Sequence, residues 1–191
     1  DVFKTVEKRQ ERENQATFTF IIQINSKDSI RRPYNKSEKL ESVEVKKLGI
    51  NISAIIEKNF KSTGLFNPLK KEAFVQKPDI AHLKPRFEDW RLIKAQALVT
   101  GKLSVKGNKL KVEFRLWDLT ASKEMIALSF TTTPSNWRRV AHIISDKIYE
   151  RLTGEKGYFD TRIIYVAESG PKNQTVKKLA IMDQDGAKTK Y

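Results

Sequence analysis

The sequence predicts an α+β fold, in which a mixed or antiparallel sheet of about four to five strands is covered by two long helices and a short one. Three patterns lead to this prediction. Apolar residues recur at helical spacing in two segments, 45–60 and 137–152. Between them, the segment 97–133 alternates apolar and polar residues, as the strands of a sheet with one wet face do. Helices and a sheet of this kind bury their apolar faces against each other.

The first half of the chain should contain an arm, a strand, a loop and the first long helix. Residues 1–16 are polar and charged with little periodicity, so we expect a mobile arm. The segment 17–24 (TFTFIIQI) has the β-branched and aromatic composition of a strand, and the charged, turn-forming stretch 25–39 predicts a long loop. The helix of 45–60 should end at Gly64, because a residue without Cβ adopts the left-handed conformation of a helix end easily.

A short helix and a three-stranded meander should follow. Phe87, Trp90 and the pair Leu92–Ile93 predict the helix near 86–96. Glu88 and Asp89 would lie in its first turn, where the helix dipole favours negative charge. The segment 97–133 divides into three strands at two turn signals. The Gly-Asn dipeptide at 107–108 predicts a tight hairpin turn, and the sequence TASKE predicts a looser one.

The last helix has clear start and end signals. Ser135 is the expected N-cap, and Gly154 should close the helix. Its inner face consists of six apolar residues: Trp137, Val140, Ala141, Ile144, Ile148 and Leu152. Trp137 is the largest of them, and we expect it to anchor the helix in the core.

Composition and charge limit the classes of function. The chain has 191 residues, of which 39% are hydrophobic, and a net charge of +14 from 37 basic and 23 acidic residues. It has no cysteine, which excludes disulfides, thiolate chemistry and Cys-ligated zinc. The apolar runs are too short to cross a bilayer, so we expect no membrane insertion. The basic residues occur in short pairs on different elements, which favours a generally basic surface over a nucleic-acid site.

Residues with catalytic or metal-binding potential are sparse. The two histidines, His82 in a predicted loop and His142 on the last helix, lie in no metal-binding motif such as H-E-x-x-H. Glu88 and Asp89 are adjacent on a helix and diverge by about 100°, so they do not converge as an acid and a base must. The sequence has no phosphate-binding loop and no nucleophile elbow. We therefore expect no enzyme, no cofactor and no metal.

Two further features have both a functional and a structural interpretation. The sequence D-Q-D-G at 183–186 resembles the start of a calcium loop, but a tight turn between two strands is the simpler interpretation. Trp117 lies between Arg115 and Asp118, and nucleic-acid-binding sheets interleave aromatic and basic side chains in this way. It is a single aromatic residue, so a basic nucleic-acid-binding α/β module is kept as the alternative hypothesis.

Four stretches together resemble the TolB family, the periplasmic component of the Tol–Pal envelope system of Gram-negative bacteria. The stretches are FKSTGLFNPL (60–69), DWRLIKAQALVTGKL (89–103), WRRVAHIISDKIYERLTGEKGYFDTRIIYVAES (137–169) and MDQDGAKTKY (182–191). The third is long and unusual in composition, and it is the most specific of the four. The resemblance extends over roughly residues 45–191.

This resemblance implies a division of the chain into two structural units after the arm 1–16. Members of the family carry an α/β amino-terminal domain followed by a β-propeller. Residues 17–156 would form the TolB-like α/β domain, and residues 157–191 would form the truncated first blade of the propeller. A propeller blade has about four strands, so we expect the segment 161–191 to be an isolated hairpin that leans on the α/β domain or is poorly ordered.

The resemblance also implies a function and partners. It implies a non-enzymatic periplasmic scaffold or adaptor that acts by protein–protein binding in outer-membrane integrity and cell division. In the family, Pal binds the propeller, and TolA binds a short mobile segment at the mature amino terminus. Here the arm contains Val2, Phe3 and Val6, which could add as a strand to the sheet edge of a TolA-like partner. An inert arm is the alternative interpretation. We expect a monomer without nucleic acid.

Overall fold

A computed structural model describes residues 15–24 and 43–191, with two sheets and two long helices. The elements are β1 (Gln15–Ile24), α1 (Val43–Ser62), β2 (Phe66–Pro68), α2 (Pro78–Leu83), α3 (Phe87–Leu92), β3 (Ala97–Lys106), β4 (Lys109–Asp118), β5 (Lys123–Thr132), α4 (Trp137–Thr153), β6 (Arg162–Ser169) and β7 (Val176–Asp183). Within these described ranges, no helix combines the length and the apolar character that crossing a membrane requires.

Five strands form an antiparallel sheet in the order β2-β1-β3-β4-β5. The helices α1 and α4 pack together on one face, whereas the short helices α2 and α3 cover part of the other face. Strands β6 and β7 pair with each other and form a two-stranded sheet separate from the five-stranded one. The predicted fold class, a helix-covered sheet followed by a C-terminal hairpin, is thus confirmed.

The alternation of β4 predicted one wet face of the sheet, but helices cover part of both faces. Its apolar residues Leu110, Val112, Phe114 and Leu116 are fully buried against α1 and α4. On the opposite face, Trp117 belongs to a second, smaller core that Trp90 of α3 completes. The indole nitrogen of Trp90 donates a hydrogen bond to Gln76 Oε1 at 3.1 Å, so its polar group is satisfied although the side chain is fully buried.

Two elements in the segment 66–83 differ from the prediction. Phe66–Pro68, for which no strand was predicted, forms the edge strand β2, paired with β1. An edge position tolerates Pro68, because one side of such a strand needs no hydrogen-bond donor. The loop predicted around His82 is wrong as well, because this residue lies on the helix Pro78–Leu83. The predicted helix near 86–96 is shorter, since α3 ends at Leu92.

The start of α4 corrects the prediction for Ser135. A 3₁₀ turn at Pro134–Asn136 precedes the helix, so Asn136 takes the N-cap position and makes no side-chain capping bond. The Ser135 hydroxyl instead lies 2.9 Å from the Thr133 hydroxyl. Trp137 is only partly buried at the edge of the core, so it anchors the helix less deeply than expected. The helix end at Gly154 is confirmed, with φ of +79°.

The amino-terminal boundaries also change. Strand β1 begins at Gln15, two residues before the predicted start, so the last two residues of the predicted arm belong to the sheet. The rest of that arm, residues 1–14, and the predicted loop 25–39 lie outside the described residues.

Candidate functional site

The most unusual polar structure in the described part of the chain joins the hairpin to the two long helices. After β7 the chain turns tightly at 183–186, where Gly186 has φ of +83° and its N–H donates to the Asp183 carbonyl at 2.9 Å. The chain then returns to pair Lys190 with Ile181. The predicted Asp-Gly turn is therefore confirmed. We call the contact of this turn with the helices the junction; it comprises Lys58, Asn59, Arg138, His142, Ser145, Asp183, Gln184 and Asp185.

An ion pair forms the first link of the junction. Arg138 Nη2 of α4 donates to Asp185 Oδ2 at 2.6 Å, and Arg138 Nε lies 3.9 Å from Asp183 Oδ2. The Asp185 side chain is only 6% exposed. Burial alone would raise the pKa of this carboxyl, but the hydrogen bonds from Arg138 and from the Ala187 N–H hold that pKa below its usual range. Asp185 is therefore ionised at neutral pH.

A chain of buried hydrogen bonds forms the second link. Gln184 Nε2 in the turn donates to Asn59 Oδ1 of α1 at 3.3 Å. Asn59 Nδ2 donates to His142 Nδ1 at 3.0 Å and to Ser145 Oγ at 2.9 Å, both on α4. Ser145 Oγ donates to the Ala141 carbonyl at 2.9 Å. One buried amide thus connects the turn with both long helices.

This arrangement fixes the protonation state of His142. Because the Asn59 amide donates to Nδ1, Nδ1 carries no proton, and the neutral ring holds its proton on Nε2. Nε2 lies 4.0 Å from Asp185 Oδ2 and has no hydrogen-bond partner within the described residues. Burial lowers the pKa of His142, and the negative charge of Asp185 opposes this shift only in part. His142 is therefore neutral at pH 7.

The junction contains a cluster with the composition of a metal site. In the described part of the chain, ligand atoms of His142, Asp183 and Asp185 lie within 4.8 Å of one another. However, the Arg138 guanidinium already donates to Asp185 and lies 3.9 Å from Asp183, and the proton on His142 Nε2 blocks its lone pair. A metal ion would have to displace both, so the geometry describes a hydrogen-bonded ion pair rather than a metal centre.

A second attachment holds the linker between α4 and β6. Asp146 accepts the Phe159 N–H at 2.6 Å and the Asp160 N–H at 3.1 Å. The Phe159 side chain is fully buried in the main core. Gly157 lies so close to Asp146 that a Cβ there would be 2.4 Å from the Asp146 Cα. The linker is therefore anchored at its middle, not only at its ends.

The structure places the candidate site residues in different surroundings. Val2, Phe3 and Val6, the predicted partner-binding residues, lie outside the described residues. His82 is buried beneath the sheet with Nδ1 3.3 Å from Thr100 Oγ1, and burial lowers the pKa of its ring. It has a structural role.

Neither of the other two sequence candidates forms a site. Glu88 pairs with Arg91, and Asp89 pairs with Arg86 at 2.9 Å, so the two carboxylates do not meet. Trp117 is 8% exposed and packs against a neighbouring aromatic ring, while its indole nitrogen donates to Thr100 at 3.2 Å. Its ring face is therefore closed to a stacking base.

Sequence reasoning missed most of the junction. One local signal was available: Arg138, His142 and Asp146 are spaced by four residues, which places them on one face of a helix. Asn59 and Gln184 have no such signal, because they are 125 residues apart in the chain and meet only in the folded structure.

Comparisons with known proteins identify the family. The model of the TolB amino-terminal domain matches residues 22–125. "Tol-Pal system protein TolB" of Pelagibacter ubique (strain HTCC1062) is 71% identical over 144 residues, a match that spans 75% of this chain but only 32% of that protein. The crystal structure of TolB from Acinetobacter baumannii shares the fold, with a TM-score of 0.64 at 21% identity over 92% of this chain and 41% of that chain. The chain therefore belongs to the TolB amino-terminal domain family.

Proposed function

We propose that this chain is part of a TolB protein that acts as a non-enzymatic periplasmic scaffold of the Tol–Pal envelope system. It would work by protein–protein contact in outer-membrane integrity and cell division. The identity of 71% over 144 residues with a protein named for that system carries this proposal. The polar groups support it too: the two histidines are buried and hydrogen-bonded to neighbouring side chains, and Glu88 and Asp89 each pair with a separate arginine.

The proposed domain division follows the same reasoning. Residues 17–156 would be the adaptor domain, and residues 157–191 would open the first blade of a propeller. In support, the hairpin presents large apolar side chains to solvent, with Ile164 65%, Val166 57% and Leu179 70% exposed. Such an exposed apolar face is expected of strands that pack against further strands of a propeller.

The proposed partners are a TolA-like protein for the arm 1–16 and Pal for the propeller. The arm leads directly into β1, which lies inside the sheet between β2 and β3. A partner that binds the arm would therefore be attached close to the folded domain. Binding of an arm as an added strand costs conformational entropy, which limits the affinity and makes recruitment reversible.

Deletion of residues 1–14 is expected to abolish binding of a TolA-like domain and to leave stability unchanged, because the cut preserves β1 from Gln15 onward. Titration calorimetry measures the binding, and thermal unfolding measures the stability. Equal affinity before and after deletion would contradict the assignment of the arm.

Point variants localise this effect. Replacing the apolar residues Val2, Phe3 and Val6 together by serine should weaken binding at least as much as replacing any other three residues of the arm. The matched control replaces Lys4, Glu7 and Lys8 by serine, at neighbouring positions of the same arm. If the control loses as much affinity as the apolar variant, the strand-addition mode is wrong.

The net charge of +14 keeps one alternative function, a basic nucleic-acid-binding module. We expect a labelled single-stranded oligonucleotide to bind weakly, because Trp117 offers no open ring face for stacking. Fluorescence anisotropy at increasing salt concentration checks this expectation. Micromolar binding that weakens steeply with salt would favour the alternative over the scaffold.

A further inference from the structure

We propose that the junction is a pH-sensitive latch, in which protonation of His142 releases the turn at 183–186 from the helix pair α1 and α4. The latch is a property of the folded chain, and it adds to the scaffold function without depending on it.

The hydrogen-bond chain cannot accept a second proton on His142. The proton would go to Nδ1, which faces the N–H group of Asn59 Nδ2 at 3.0 Å, so two donors would face each other. Relief requires rotation of the Asn59 amide. That rotation places the donor Asn59 Nδ2 opposite the donor Gln184 Nε2, so the side-chain hydrogen bond between Asn59 and the turn is broken until the Gln184 amide rotates as well.

The charges around His142 favour its protonated form on balance, but they do not outweigh the effect of burial. The groups that face the ring come from every element packed against it: Arg138 and Asp146 of α4, Asp160 of the linker, Asp183 and Asp185 of the turn, and Lys58 of α1 at the backbone of the turn. The nearest carboxylate, Asp185, already accepts the short hydrogen bond from Arg138. An imidazolium would compete with that guanidinium for the same oxygen and repel it.

The direction of the effect follows from linkage. Burial lowers the pKa of His142 below its ordinary value of 6.5 while the turn is docked, and release would expose the ring to water and restore that value. The released form then binds the proton more strongly than the docked form. Docking is fully stabilised well above pH 6.5 and weakens as the pH falls from 6.5 to the lower pKa of the docked form, by up to about tenfold in the docking equilibrium per pH unit for one proton.

Fluorescence energy transfer between the helix and the hairpin tests the latch. The chain has no cysteine, so Lys47→Cys on α1 and Lys178→Cys on β7, both at exposed positions, accept a donor and an acceptor dye. We expect a constant transfer efficiency above neutral pH. From about pH 6.5 towards pH 5, the range in which histidine titrates, a population with a larger distance between the dyes should grow. Unchanged transfer over this range would overturn the proposal.

Two histidine variants test whether His142 causes the pH-dependent change in transfer efficiency. In His142→Asn, the side-chain oxygen can accept from Asn59 in place of Nδ1 but cannot titrate, so the transfer should become independent of pH. In His82→Asn, which removes the other histidine of the chain, the transition should remain. If His142→Asn keeps the transition of the wild type, a carboxylate carries it, and the proposal fails.

The ring of His142 can also be titrated directly in the wild-type chain, which avoids any folding defect of a variant. Nitrogen-15 NMR should show the proton on Nε2 at neutral pH and a pKa below 6.5, with a midpoint that coincides with the fluorescence transition. A pKa above the ordinary value would mean that acid tightens the junction, and this too would overturn the proposal.

Discussion

Replacing Phe159 by alanine should lower the free energy of unfolding by about 3–5 kcal/mol, the usual cost of removing a buried aromatic side chain. Phe159 is fully buried, and its ring centre lies 5.9 Å from that of Phe60 and 5.8 Å from that of Tyr149. Those two residues belong to α1 and α4, so the variant would leave a cavity where both helices meet the linker. Denaturant unfolding followed by circular dichroism measures the loss.

The neighbouring residue Tyr158 provides the control for Phe159. It is aromatic as well and its ring lies 4.7 Å from that of Phe159, but it is 45% exposed. Tyr158→Ala should therefore cost only about 1 kcal/mol. If the two variants lost equal stability, the linker would not be anchored through Phe159.

Replacing Trp90 by alanine should cost a similar amount, about 3–5 kcal/mol. Trp90 is fully buried in the second core, where its ring lies 6.0 Å from Phe74. The same oxygen of Gln76 that accepts from its indole nitrogen also accepts the Arg86 N–H at 2.9 Å. The variant therefore opens a cavity and removes one of the two hydrogen bonds that the buried Gln76 Oε1 accepts. Thermal and denaturant unfolding measure the change.

Two variants of α3 bracket this effect. Leu92→Ala changes a residue that is 84% exposed on the same helix and should shift stability by less than about 0.5 kcal/mol. Trp90→Phe keeps most of the apolar volume, so its loss of stability should lie between those of Leu92→Ala and Trp90→Ala. A loss below about 1 kcal/mol for Trp90→Ala would show that α3 does not close a second core.

The hairpin is attached to the helices at two places, the linker and the turn, and the two attachments differ in chemistry. The linker is held by the buried Phe159 ring and by backbone hydrogen bonds to Asp146. The turn is held by polar contacts from Lys58, Asn59 and Arg138, and His142 is linked to it through Asn59. Protonation of His142 acts on the second attachment. We therefore expect the hairpin to stay tethered at the linker when the turn is released.

Elements with a strong local pattern were predicted correctly. The apolar spacing of α4, with Val140, Ile144 and Ile148 buried along one face, marks a helix in any context. The meander was likewise evident, because alternation along β4 and the turn at Gly107 are local signals. The errors fell where a short element depends on its neighbours. Three residues of β2 form a strand only because β1 offers them a partner.

The start of α4 illustrates the same limit at one residue. Ser135 has the side chain of a good N-cap, but Pro134 begins a 3₁₀ turn that moves the cap position to Asn136. Similarly, Trp137 was expected in the core by size, whereas Trp90 is the tryptophan that is fully buried. Size and periodicity predict which side of a helix faces inward. They do not predict how far the covering sheet extends above that side.

By itself, the sequence determined the fold class, the two long helices, the meander and the family, because each of these produces a local periodicity or a contiguous motif. Only the tertiary structure decided the junction. Asn59, His142 and Gln184 come from three separate segments, and each has an ordinary surrounding sequence. A buried polar group must find its partner wherever the fold brings one within about 3 Å, and the packing of α1 on α4 provides that proximity.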